Sequence, residues 1–190
     1  SFELDDTKSP DGMVPVNGGP WIDFIGFLGW VGPYSFPKFY IDRYEVTNKQ
    51  YQDFVDKGGY QKKEYWKERF VRDGHELSWD EAMALFRDTT GRPGPSTWEA
   101  GHYPEGKADY PVSGVSWFEA AAFEEFSGKS LPAIAQWYKT EPAGTDQYVA
   151  RLSNFGKHAP VGQFKGMGPY GTYDMVGNAR EWVADWVPLS

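Results

Sequence analysis

The chain contains no cysteine. These 190 residues therefore supply no disulfide, no zinc–thiolate cluster and no thiolate nucleophile. Bases are scarce as well: 19 lysines and arginines face 27 acids, for a net charge of −8. Such a chain lacks the basic face that nucleic-acid phosphates require, and mildly favours a cation as partner. No apolar run approaches the roughly eighteen residues of a membrane-spanning helix, so no insertion into a bilayer is expected. Ser1-Phe-Glu-Leu-Asp-Asp6 has neither the basic head nor the apolar middle of a signal peptide, which leaves export open for a mature or excised domain. The three histidines, His75, His102 and His158, are far apart and fit no metal-ligand spacing. There is no Gly-x-Ser-x-Gly elbow and no phosphate-cradling Walker loop.

Rings are what the chain has in excess. Aromatic residues make up 18% of it, with nine tryptophans, which reads as a core built from large rings. The length suits one domain, and no repeat, low-complexity tract or internal boundary interrupts it. Residues 1–38 read as a short strand followed by irregular loops, and Phe39–Tyr44 as a strand. Three capping boxes then announce helices: Thr47 with Gln50, Ser78 with Glu81, and Ser116 with Glu119. The first helix should bury Tyr51, Phe54 and Val55, and stop at Gly58-Gly59. The second should bury Ala82, Leu85 and Phe86. The third, Ser116–Ser127, should pack Ala120, Phe123 and Phe126 on one stripe and end at Gly128. Pro132 opens a short helix carrying Trp137 and Tyr138. Asp88–Pro95 is a turn-rich insert, and Arg180–Val187 alternates as a strand. Short strands, few helices and long ordered loops describe an α+β domain.

The most informative stretch is Gly168-Pro-Tyr-Gly-Thr-Tyr-Asp-Met-Val-Gly-Asn-Ala-Arg-Glu-Trp182. A glycine-rich turn delivers Asp174, a tight Gly177-Asn178 turn follows, and Glu181 arrives seven residues after the aspartate. Two carboxylates with uncommitted peptide oxygens between them suit a hard cation, and equally describe a surface turn with two solvated acids. Asn178 is expected to hold the turn through its side-chain amide.

This stretch resembles the G-x-Y-D-M-x-G-N-x-x-E-W signature of the formylglycine-generating enzyme, or sulfatase-modifying-factor, family. Met13-Val-Pro-Val-Asn-Gly-Gly19 is similar to that family's opening strand and turn. Phe39–Tyr51 carries a match to its E-V-T-N-x-x-Y, Tyr110–Ala120 to its P-V-x-x-V-S-W-x-x-A, and Gly128-Lys-Ser-Leu-Pro132 to its G-x-x-L-P. The spelling between Tyr60 and Pro111 resembles versions attached to bacterial serine/threonine kinases.

The resemblance implies a C-type-lectin-like fold and one domain over residues 1–190 that lacks its C-terminal part. It implies a structural calcium ion held by the side chains of Asp174 and Glu181 and the backbone oxygens of Gly177 and Ala179. A second family calcium site is not expected, because the loop after Asn154 carries no acid. The family's oxidases hold copper through paired cysteines, absent here, and Pro132-Ala-Ile-Ala-Gln-Trp137 departs from the family's polar L-P-T-E-x-E-W. Besides a structural domain of a surface or kinase assembly with no small ligand, two functions follow. One is a non-catalytic recognition or sensor module for a peptide, glycan or small molecule. The other is a fragment of a copper-dependent oxidase whose cysteines lie beyond this chain. The resemblance further implies a bacterial protein, outside the cytoplasm rather than within it, that associates with the missing segment or with a kinase domain.

Overall fold

The computed structural model describes residues 9–25, 29–141 and 153–185. Strand β1 (Met13–Val16) pairs antiparallel with β4 (Phe39–Asp42), in a register running from Met13 opposite Asp42 to Val16 opposite Phe39. Val14 and Val16 point inward and are buried, while Pro15 between them is exposed, the period-two pattern of a half-buried strand.

Between β1 and β4 the chain forms a hairpin, β2 (Gly19–Ile25) with β3 (Gly29–Phe36), where irregular loops were expected. The prolines suggested loops, but the register shifts between Trp21 and Asp23, so Gly32-Pro33 falls at a bulge where no ladder amide is required. The ladder aligns Trp21 with Tyr34, and their rings stack at 6.4 Å.

Helices α1 (Asn48–Asp56), α2 (Trp79–Leu85) and α3 (Trp117–Ser127) each begin at the expected capping box, with both reciprocal hydrogen bonds formed. Gly128 ends α3 in the left-handed region at φ 70°, which costs glycine little and any Cβ-bearing residue more. A short α4 (Ile134–Thr140) follows Pro132. A small β5–β6 hairpin (Val71–Arg72 with His75–Glu76) and a 3-10 turn (Lys63–Tyr65) lie between α1 and α2.

The core is made of rings from α1, α3 and the loops that flank α2. Tyr51, Phe54, Tyr60, Trp66, Phe70, Phe86, Trp98 and Phe123 pack with Ala82, Met83 and Ala122. Their polar atoms stay bonded: Trp66 donates to the Gly59 carbonyl (2.9 Å) and Trp98 to Asn48 Oδ1 (3.1 Å). Glu119, the capping acid of α3, is also buried and takes the Tyr60 hydroxyl at 2.6 Å. Burial holds its carboxyl above the ordinary range, against hydrogen bonds from Ser116 and Tyr60.

Three sequence expectations shift by one position on a helix face. Leu85 is exposed, because the inward face of α2 is centred on Ala82 and Met83 and continues into Phe86, whose ring stacks on Trp66. In α3 the buried line runs through Glu119, Ala122 and Phe123, leaving Ala120 half-buried. Val55 is likewise half-buried at the core edge. The expected strand from Arg180 is also corrected over its described part. Residues 180–185 are irregular because the Val183 carbonyl accepts from the Trp117 indole and the Ala184 amide donates to the Pro132 carbonyl. Trp186 and Val187 lie outside the described residues.

The Asp88–Pro95 insert is knotted on one carboxylate. Asp88 accepts from the amides of Thr90, Arg92 and Gly101 and from the Thr90 hydroxyl, at 2.6–2.9 Å. Burial raises its carboxyl, but these donors outweigh it and hold the group down at about 2.

Candidate cation site and adjoining groove

The Gly168–Trp182 bend is stitched to three distant segments. The Tyr173 amide donates to the Arg43 carbonyl just past β4 (2.9 Å), and the Asn178 amide to the Asn154 carbonyl (2.6 Å). The Trp182 indole reaches the Val115 carbonyl at 3.1 Å. Asp174 and Asn178 both adopt left-handed backbone, at φ 60° and 58°, and Gly177 sits at φ 100°. A methyl group on Gly177 would run into the Asn154 carbonyl, so glycine is required there by approach as well as by conformation.

Asn178 holds the bend, as expected, and does more. It is buried, and its Oδ1 accepts from Asn154 Nδ2 and from the Ala159 amide, both at 2.9 Å. Its Nδ2 donates to Glu45 Oε2 at 2.6 Å, while the Ala179 amide donates to Glu45 Oε1 at 2.8 Å. Sequence reading missed Glu45, which lies in the E-V-T-N string just before the α1 N-cap. The only local hint is that an acid two residues before Thr47 takes no part in the Thr47–Gln50 capping box.

Three carboxyls near this bend are linked by charge. Glu45 is pushed up to about 8, chiefly by burial, against its bonds to Asn178 and Ala179, with Glu181 and Asp174 adding to the rise. Glu181 is an exposed residue whose carboxyl accepts from the Trp137 indole; local desolvation pushes it up to about 7, against that bond, and Asp174 adds to the rise. Asp174 is buried, and desolvation raises it too, against one hydrogen bond from the Gly162 amide at 2.6 Å. Acids that raise one another's pKa are short of positive charge.

Of the four residues assigned to calcium, Asp174 and Glu181 lie near enough for the charge of Asp174 to raise Glu181. The carbonyls of Gly177 and Ala179 accept no hydrogen bond among the described residues. No three acidic or histidine side chains among the described residues converge closely enough to enclose an ion alone. A cation here would rely on peptide oxygens for the rest of its shell, which suits calcium better than the tight octahedron of magnesium. On that chemistry the donor set fits: two acids linked by charge and two unengaged carbonyls on one bend. The histidines lie apart, His75 in β6 and His102 and His158 in separate exposed loops.

A groove of about 710 Å³ opens beside the bend, running past β4, α3 and the start of α4. Phe39, Ile41, Val115, Phe123, Leu131 and Trp137 give it an apolar wall. At its far end Lys129 bonds both carboxylate oxygens of Asp42, at 2.6 and 2.7 Å.

The same bend that gathers these acids carries the sequence match. Residues 3–189 fit the family model of the sulfatase-modifying factor enzyme 1-like domain. The chain belongs to that family. Among its relatives is a hercynine oxygenase of Mycobacterium tuberculosis, 32% identical over 77% of this chain and 37% of the relative. A formylglycine-generating enzyme of Thermomonospora curvata is 30% identical over 98% of this chain and 77% of the relative. A serine/threonine-protein kinase pkn1 of Chlamydia pneumoniae is 28% identical over 78% of this chain and 23% of the relative. The chain thus spans less than half the length of the two hercynine oxygenases of M. tuberculosis and Mycolicibacterium smegmatis, at 37% and 45%. Within the sulfatase-modifying-factor family, names of active enzymes and of a kinase-attached protein both occur.

Proposed function

We propose that this chain is a non-catalytic recognition or sensor module of the sulfatase-modifying-factor family, built on a C-type-lectin-like scaffold and pinned by structural calcium. The carrying observation is the charge linkage of Asp174, Glu181 and Glu45 around a left-handed bend, in a sequence without one thiol. Asp174 and Glu181 would supply charged oxygens, and Gly177 and Ala179 peptide oxygens. Calcium bound there ties residues 168–182 to the segments bearing Glu45 and Asn154. It neutralises acids that otherwise repel, and so holds the groove wall in place. A binding role is supported by the missing cysteines and by Pro132-Ala-Ile-Ala135, which departs from the polar L-P-T-E of the family signature. The kinase-attached relatives support a place beside a kinase domain. The reading is completed by a bacterial protein outside the cytoplasm and a peptide, glycan or small molecule as ligand.

Chelation tests the metal. At calcium a hundredfold above its Kd the ion stabilises by about 2.7 kcal/mol. Its removal should lower the melting temperature by roughly 5–10 °C for a domain of this size. Asp174→Ala should abolish that sensitivity. An unchanged melting curve on chelation removes the calcium assignment.

The relatives named formylglycine-generating enzyme favour a second reading, a piece of a copper oxidase whose cysteines lie outside these residues. The natural full-length polypeptide, supplied with copper and a cysteine peptide, decides it. Conversion of that cysteine to formylglycine would establish the oxidase and end the recognition-module reading.

A further inference from the structure

Between α3 and the segment that follows the Lys63–Tyr65 turn lies a pocket of about 150 Å³. Tyr65, Trp66, Phe70, Trp117 and Phe118 line it, and none of the residues assigned to calcium does. Neighbouring rings here are turned against one another. Trp117 and Phe118 meet at 86°, Phe118 and Phe70 at 56°, and Phe70 and Trp66 at 52°, with centroids 5.2–5.9 Å apart. Successive turns of that size make a curved aromatic wall, where a parallel stack would make a flat one. The Trp117 indole is fixed in it by donating to the Val183 carbonyl at 2.8 Å.

Rings of the same cluster already seat ammonium groups nearby. Lys62 lies over Tyr65 at 5.9 Å, Lys63 over Trp79 at 5.3 Å and Lys57 over Phe126 at 5.6 Å from the ring centres. The negative faces of aromatic rings attract cations in this way. Among the described residues no lysine or arginine is seated over Trp66, Phe70 or Phe118. Charge at the pocket has the matching sign. Glu68, Glu124 and Glu125 line it against Lys67 and Lys129, and Lys129 is held by both carboxylate oxygens of Asp42. Size sets the rest: an apolar cavity of about 150 Å³ accepts benzene, so a trimethylammonium head has room. A primary ammonium would lose hydration that rings cannot replace, whereas methyl groups give the charge an apolar surface.

We infer that this pocket binds the methylated ammonium head of a small molecule, with the rings as its cage and Glu68, Glu124 and Glu125 as the countercharge. This rests on the recognition-module reading and names the ligand class, at a site separate from the calcium bend.

The experiment titrates choline into the 190-residue chain at pH 8 in saturating calcium, with calorimetry for affinity and the indole N–H resonances for position. Glu124, pushed up to about 7 by burial and then by Asp42 against Lys129, is ionised at that pH. Choline should bind with a Kd in the millimolar range or tighter. Its neutral isostere dimethylbutanol should bind about tenfold more weakly, and ethanolamine at least as weakly. The Trp66 and Trp117 resonances should move, while Trp137 and Trp182, which line the groove, stay in place. Ala121→Met fills the pocket and should abolish binding. The double change Glu68→Gln, Glu125→Gln alters exposed side chains, so it should leave the melting temperature unchanged and remove most of the preference for choline over its isostere. Equal binding of choline and dimethylbutanol overturns the cage, and so does full binding by the Ala121→Met chain. Shifts confined to Trp137 and Trp182 place the ligand in the groove and overturn the site. A peptide bearing trimethyl-lysine that binds more than tenfold tighter than choline overturns the small-molecule source. No binding of choline overturns the proposal, while a melting shift on chelation would leave the module and its metal standing.

Discussion

Replacing Asn178 by alanine should loosen the site more than any change to an acid in it. The carboxamide accepts from Asn154 and the Ala159 amide, and donates to Glu45 at 2.6 Å and to the Ala159 carbonyl at 3.3 Å. Neutral bonds of this kind contribute about 1 kcal/mol each, and the bond to Glu45 reaches about 1.5–3 kcal/mol where that carboxyl is ionised, above about pH 8. Water from the adjoining groove recovers part of the loss for the stranded partners. Against that, alanine at φ 58° adds about 1 kcal/mol of backbone strain that asparagine tolerates better. The expected destabilisation is about 4 kcal/mol, or a melting temperature lower by roughly 8–16 °C for a domain of this size. Differential scanning calorimetry reads it, and Asn178→Gly separates the contributions, since glycine keeps the backbone but loses the carboxamide. The glycine variant should fall between wild type and alanine, about 1 kcal/mol above the latter. A loss below about 1 kcal/mol for both variants would refute the claim that this amide ties the loops together.

Asp88 predicts an acid limb. Its folded pKa of about 2 lies below the ordinary 3.8, so its stabilisation is complete above that ordinary value and is lost as pH falls through 2. Urea midpoints between pH 5 and 2 should record a loss of about 2 kcal/mol that Asp88→Asn no longer shows; identical limbs would contradict the assignment. Tyr60→Phe strips the buried Glu119 of its hydroxyl donor and should cost about 1.5–3 kcal/mol in chemical denaturation. Gly177→Ala, which meets the Asn154 carbonyl, should cost about 2–3 kcal/mol, and a neutral result would show that the bend relaxes freely.

Local chemistry made part of this molecule readable in advance. The pairs Thr47–Gln50, Ser78–Glu81 and Ser116–Glu119 are complete within four residues, and each begins a helix where it stands. The Asp174–Glu181 bend was visible for the same reason. What sequence alone hid depends on residues far apart. Glu45 joins the bend from more than a hundred residues away through Asn178 and Ala179, and nothing in its neighbours announces that contact. The β2–β3 hairpin was hidden because Pro33 normally argues against a strand, and the bulge that admits it appears only once Trp21 meets Tyr34. Leu85 and Ala120 were misplaced because short helices offer too few turns to set the angle of their inward face.

Terbium luminescence tests the central assignment most directly. This calcium mimic emits when a nearby indole transfers energy to it, and Trp137 bonds the proposed ligand Glu181. Terbium should light up on binding at one equivalent, and calcium should displace it while magnesium at the same concentration does not. The doubly substituted Asp174→Asn, Glu181→Gln chain should stay dark. Equal emission from that variant, or none from the wild type, would contradict a cation held at this bend.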